Sequence, residues 1–113
     1  MPRLGKSISS FSKKEVTTFF ETSKVKARIP GLRVLISPAQ KELGRILIIT
    51  PRRSGNSCQR HLIRRRFKAI FLQEQLYKKG FDCGIIVRSE GIDTSFEDLR
   101  KLLLCAFQAS VRS

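Results

Sequence analysis

Apolar residues recur along this chain in two rhythms, and where one gives way to the other the order of elements can be read. Val16, Phe19 and Phe20 follow Ser12 at helical spacing, and Ser12 with Glu15 makes a capping-box pattern. A short first helix is therefore predicted to run to about Thr22. Ser23 to Arg28 reads as a linker or short edge strand, limited by Pro30 and Gly31. Leu32 to Ser37 and Arg45 to Thr50 are rich in β-branched and aliphatic residues, and each stops at a proline, Pro38 and Pro51. They are expected to pair as a hairpin. The unbroken run Ile46 to Ile49 in the second predicts a central strand covered at least in part on both faces.

A helical rhythm returns after Gly55, which permits a tight turn. Asn56 can N-cap through its side-chain oxygen, with Gln59 at the reciprocal capping-box position. At about 100° per residue, Ile63, Phe67, Ile70 and Tyr77 form an apolar stripe, and Lys78, Lys79 and Gly80 supply the stop. Cys83 to Arg88 is a third strand of the same kind. Thr94 with Glu97 opens a last helix in which Phe96, Leu99, Leu103, Ala106 and Phe107 share one face. The order of helix, strands, helix, strand, helix predicts an α+β sandwich with helices packed on a small sheet. Met1 to Ser10 reads as a loose basic arm, so the fold proper should begin near Phe11. At 113 residues the chain fits one domain.

Charge changes the picture from fold to partner. From Arg45 to Gln73 the chain carries eight arginines and lysines and no aspartate or glutamate. Arg60, Arg64 and Lys68 fall on one helical stripe with His61 and Arg65 beside it, next to the apolar stripe. A solvated cationic tail would show no such rhythm. The helix start adds exposed backbone N–H groups and the positive end of the dipole. A formal charge of +14 and a pI near 10.8 point to nucleic acid first and an anionic membrane second. The membrane reading is weak, because the longest apolar run is Leu102 to Phe107, well short of the roughly 20 residues needed to span. Met1 to Ser12 lacks the apolar stretch of a secretory signal, so a cytoplasmic protein is expected.

Chemistry of the chain's own is hard to assemble. His61 is the only histidine, and the nine acids are scattered, several of them at helix starts where they complement the dipole. No paired acids stand near the basic block, and the chain has no phosphate-binding glycine loop or nucleophile elbow. Cys58, Cys83 and Cys105 are widely spaced and odd in number, which argues against zinc and against a disulfide framework. Cys83 and Cys105 lie in apolar stretches and are expected to fill the core.

The segment RILIITPRRSGNSCQRHLIRRRFKAIF, Arg45 to Phe71, resembles the signature of the bacterial ribonuclease P protein subunit, a strand followed by K-K-x-G-N-A-V-x-R-N-x-x-K-R-x-x-R-E. Arg52 and Arg53 stand at the two lysines, Gly55 and Asn56 match directly, and Ser57 replaces the alanine. Arg60 and Arg65 match arginines, Arg64 takes a lysine position and Lys68 an arginine position. His61 replaces an asparagine and Ala69 the acid. The likeness runs from about Ile8 to Phe107. The resemblance implies a ribosomal-protein-S5-domain-2-like sandwich, with three helices, a mostly antiparallel sheet of about four strands and a left-handed crossover from the central strand through the basic helix.

It further implies an accessory subunit that binds a catalytic RNA and the 5′ leader of precursor tRNA. The RNA would hold the magnesium ions, the protein would bind no cofactor, and no obligate protein partner is expected. The RNA-binding residues carried over are Arg52, Arg53, Asn56, Arg60, His61, Arg64, Arg65 and Lys68. The leader cleft carries over to Val16 and Phe20, with Val16 standing where the family has an aromatic. The rival readings are a ribosomal or other structural RNA-binding protein and, third, a DNA-binding module, for which no second helix is placed as a helix-turn-helix needs.

Overall fold

A computed structural model describes residues 8–112. Helix α1 (Lys13–Thr22) leads into strands β1 (Lys24–Ile29), β2 (Leu32–Pro38) and β3 (Ile46–Ile49). Helix α2 (Ser57–Gln73), strand β4 (Phe81–Val87) and helix α3 (Phe96–Arg112) follow. The capping boxes predicted at the starts of α1 and α2 form. The Ser12 Oγ accepts the Glu15 N–H and the Glu15 carboxylate accepts the Ser12 N–H, and Asn56 and Gln59 repeat the exchange at α2.

The four strands lie in the order β1-β2-β4-β3, with β1–β2 and β2–β4 antiparallel and β3–β4 parallel. The hairpin therefore joins β1 to β2 around Pro30–Gly31, and not β2 to β3 as the sequence suggests. β4 lies between those two strands. The connection from Pro38 to Ile46 packs instead on the segment before β4, with Ala39 N–H donating to the Gly80 carbonyl and Gly44 N–H to that of Tyr77. A Cβ on Gly44 would sit 2.1 Å from the Phe81 carbonyl oxygen, so this crossing needs glycine. β3 is consequently an edge strand. Only Ile46 of its four residues is buried, and parallel pairing with β4 is made possible by the long α2 crossover.

Helices α2 and α3 cover one face of the sheet. Ile63, Phe67, Ile70 and Phe71 of α2 join Leu99, Leu103, Ala106 and Phe107 of α3 over Leu32, Val34, Ile36, Ile46, Cys83, Ile85 and Val87. Three expectations shift here. Helix α2 ends at Gln73, because Gln75 turns into the left-handed region (φ 53°) and a 3-10 turn, Leu76–Lys78, drops Leu76 into the core; Tyr77 thus leaves the helical stripe. The α3 cap is Ser95, whose Oγ accepts the Asp98 N–H, while the Thr94 hydroxyl donates back to the Gly91 carbonyl. Cys83 is buried as expected, and burial raises its thiol pKa, but Cys105 is exposed on the outer side of α3.

Helix α1 lies on the other face. Phe19 is fully buried with its ring against Gly84, where an added Cβ would come within 2.5 Å. Gly84→Ala is expected to cost about 1–3 kcal/mol by overpacking. In a Phe19→Ala background the same change should cost far less, which a double-mutant cycle of urea midpoints would check.

The end of α1 nearest Arg45 is held by a charged hub. Arg45 is 2% exposed and reaches Glu15 at 3.1 Å, the Ser10 carbonyl at 2.7 Å and the Phe11 ring at 4.2 Å from its centroid. Fully buried Asp82 accepts the Arg45 and Gln40 backbone N–H groups. Ile8 is also fully buried, and its carbonyl accepts the Ile46 N–H at 2.6 Å. The last residues of the expected arm are therefore part of the fold; Met1 to Ser7 lie outside the described residues.

The Arg45 hydrogen bond, helped by the Ser12 N–H, holds the Glu15 carboxyl down at about 2 against an ordinary 4.5. Burial raises Asp82 despite its two backbone donors. A lowered carboxylate pKa contributes stability that is complete above the unfolded value and is lost as pH falls through the folded one. Glu15→Gln keeps the capping box but removes the charge, while Asp82 is common to both proteins. The stability gap between wild type and Glu15→Gln should be constant above pH 4.5 and close as the pH falls toward 2. Urea titrations across that range would show it.

Candidate nucleic-acid interface

Two of the eight cations between Arg45 and Gln73 are structural. Arg45 belongs to the hub, and half-buried Arg66 donates to the Thr94 carbonyl at 3.1 Å, tying α2 to the start of α3. The other six are Arg52, Arg53, Arg60, Arg64, Arg65 and Lys68. Among the described residues, ion pairs within 4.0 Å involve only Lys41, Arg45 and Arg100 as cations, so none of the six is neutralised by a carboxylate.

Arg64, Arg65 and His61 are exposed, while Arg60 and Lys68 are half-buried at the margin of the packed stripe. Arg52 and Arg53 are exposed on the 3-10 turn, Arg52–Ser54, that leads into the helix. Arg60 folds back so that its Nε donates to the Gly55 carbonyl at 3.2 Å. Asn56 has its side-chain oxygen committed to the Gln59 N–H at 2.8 Å, so its first role is the cap.

This ridge is rigid because the opposite side of α2 is in the core, where Ile63, Phe67, Ile70 and Phe71 are at most 1% exposed. Its positive end is also uncompensated. No acid stands in the first turn of α2, whereas Glu15 serves α1 and Glu97 and Asp98 serve α3. Unpaired guanidinium groups on a fixed helix suit phosphate oxygens, which they can engage in bidentate fashion.

A second feature lies on the sheet face that carries α1. Val16 and Phe20 sit one helical turn apart; Val16 is half-buried and Phe20 is 40% exposed, its ring edge-on to Phe19 with centroids 5.4 Å apart. The strand register puts Leu35, Gly84 and Leu47 in one row on that face and Arg33, Ile86 and Ile49 in the next. Leu35, Leu47, Ile49 and Ile86 are all half-buried, so the floor beside α1 is an open apolar trough. No motif marks these floor residues in the sequence; their one signal is that alternate positions of an apolar strand must face something other than the main core.

No three His, Cys, Asp or Glu side chains among the described residues come together in a way that could hold a metal ion. Among the described residues, no carboxylate lies within 4.0 Å of His61 to orient it as a base. A core-anchored helix whose outer side carries cations without carboxylate partners among the described residues, packed on a four-stranded sheet, defines a small α+β sandwich with a cationic ridge.

The chain belongs to the ribonuclease P family, described as "Ribonuclease P", whose pattern matches residues 10–110. It is the protein subunit of a ribonuclease that processes the 5′ end of tRNA. The fold agrees. The Staphylococcus aureus RNase P protein superposes with a TM-score of 0.75 at 13% identity, covering 91% of this chain and 94% of that one. The RNase P protein from Thermotoga maritima superposes with a TM-score of 0.69 at 22% identity, covering 85% and 91%. A search of curated proteins finds no significant match. Among the described residues, no helix is long and apolar enough to cross a membrane.

Proposed function

We propose that α2 binds the catalytic RNA of ribonuclease P and that the trough beside α1 holds the single-stranded 5′ leader of precursor tRNA. The observation that carries this reading is the run of cations, Arg52, Arg53, Arg60, Arg64, Arg65 and Lys68, on or next to a helix anchored in the core and without carboxylate partners among the described residues. His61 and Asn56 lie at the same helix start, His61 as a hydrogen-bonding contact and Asn56 mainly as the cap. Phe20 offers an exposed ring for base stacking, worth about 1–3 kcal/mol per base, and Val16 lines the same wall.

In this division of labour the protein orients and neutralises, and the RNA hydrolyses the phosphodiester. The magnesium ions are assigned to the RNA, because the protein's carboxylates are dispersed among caps and ion pairs. The setting is the cytoplasm.

The two surfaces can be separated. Phe20→Ala should weaken binding of precursor tRNA to the holoenzyme by about fivefold or more and leave mature tRNA binding and assembly with the catalytic RNA unchanged. An equal loss for precursor and mature tRNA would show that the ring does not meet the leader.

A further inference from the structure

Helix α1 covers only one end of the open sheet face. Its anchors, Phe19 on Gly84, the Thr22 hydroxyl on Ser37 and Glu15 on Arg45, all lie at or before the Gly84 row. The next row toward the β1–β2 turn is uncovered and crosses all four strands as Arg28, Arg33, Ile86 and Ile49.

Arg28 and Arg33 are direct partners across antiparallel strands, a placement in which like charges repel. Arg88 is brought to the same end by its own N–H, which donates to the Gly31 carbonyl at 2.8 Å. The turn there is tightly seated: a Cβ on Gly31 would come 2.1 Å from the Gly91 nitrogen, and one on Gly91 would meet Leu32 at 2.6 Å. All three arginines are exposed, and among the described residues none has a carboxylate within 4.0 Å. Glu90 also lines this hollow, and its Oε1 accepts the Ser89 hydroxyl.

Two depressions meet here. One is lined by Arg28, Arg33, Ile86, Arg88 and Glu90, and the other by Arg53, Ser54, Ile86, Arg88 and Glu90. Through their shared residues they run as one groove from the β1 edge to the turn that opens α2.

We propose that Arg28, Arg33 and Arg88 form a second phosphate-binding site, which takes backbone phosphates of single-stranded RNA beyond the stretch beside Val16 and Phe20. The three cations ring an apolar floor, Ile86, that suits the sugar and base side of a strand while the guanidinium groups take its phosphates. The groove ends at Arg53, so a strand in it passes from the leader trough along the sheet end. This site rests on the leader assignment above and extends it to nucleotides farther from the cleavage point.

The test uses the holoenzyme and precursor tRNAs with leaders shortened stepwise from the 5′ end. The double variant Arg28→Ala/Arg33→Ala should match wild type on the shortest leaders and lose about tenfold in affinity on long ones, with a salt slope shallower by about one to two. Arg28→Lys/Arg33→Lys, which keeps the charge, should recover most of that loss.

Equal affinity of wild type and double variant at every leader length, with wild type still gaining from a short leader, overturns this site and leaves the trough assignment standing. A double variant that instead binds the catalytic RNA more weakly without substrate also overturns it, by moving the arginines to that partner. Wild-type affinity independent of the leader altogether would remove both assignments.

Discussion

Replacing Arg60, Arg64 and Arg65 together with alanine should weaken binding to the catalytic RNA by at least about a hundredfold, because hydrogen bonds to charged groups are worth about 1.5 kcal/mol or more each. The salt dependence gives an independent reading. If the six unpaired cations each neutralise one phosphate, log affinity falls against log salt with a slope near −4 for single strands and steeper for duplex. Each contact removed takes away about 0.7 to 0.9 of that slope, so the triple variant should be shallower by about 2 to 3. Arg64 and Arg65 are exposed and Arg60 is half-buried, and none has a carboxylate partner to lose. The variant should therefore keep its stability to within about 0.5 kcal/mol at Arg64 and Arg65 and lose up to about 1.5 kcal/mol at Arg60, whose Nε bond to the Gly55 carbonyl is removed. A weakened complex with an unchanged salt slope would mean that these side chains do not meet phosphates.

The second large effect belongs to Arg45, which carries the same charge and does an unrelated job. Arg45→Ala should lower the unfolding free energy by about 3–5 kcal/mol, since it strips the partner from a buried network and leaves Asp82 charged in the interior. The hub is not fully satisfied even in the native protein, because Arg45 Nε and Nη2 have no hydrogen-bond partner. A double variant that removes both buried charges, Arg45→Met/Asp82→Asn, should therefore recover part of the loss. Urea denaturation of the three proteins decides it. A loss below about 1 kcal/mol for Arg45→Ala would show that the ion pair contributes little to holding the α1 end of the sheet.

These two predictions also show where sequence and structure part. Caps are local. Ser12 with Glu15 and Asn56 with Gln59 exchange bonds across three residues, so both helix starts could be read directly, as could the apolar face of α3 from Leu99 to Phe107. Strand neighbours are not local. Leu32 to Ser37 and Arg45 to Thr50 look alike in composition, and only the placement of β4 between them, through contacts such as Gly44 on Tyr77, decides that they never pair.

The same holds for charge. Arg45 and Arg66 carry the same side chain as Arg64 and Arg65, yet tertiary partners, Glu15 for one and the Thr94 carbonyl for the other, withdraw them from the surface. Helical phase alone separates Arg66 from the ridge, because phase is local. It could not do so for Arg45, which precedes a strand and finds its partners 30 residues before it and 37 after. The open face of the sheet escaped notice for a related reason. An apolar run such as Ile46 to Ile49 looks doubly covered, and that α1 leaves the row near the β1–β2 turn bare emerges only once its anchors on Gly84 and Ser37 are known.

The central claim is that this chain positions RNA and leaves bond breaking to its RNA partner. Reconstitution tests it most directly: precursor tRNA with the protein alone, with the catalytic RNA alone, and with both, at low magnesium. Leader removal should be absent with the protein alone, slow with the RNA alone and strongly accelerated with both. Release of the leader by the purified protein without the RNA would contradict it.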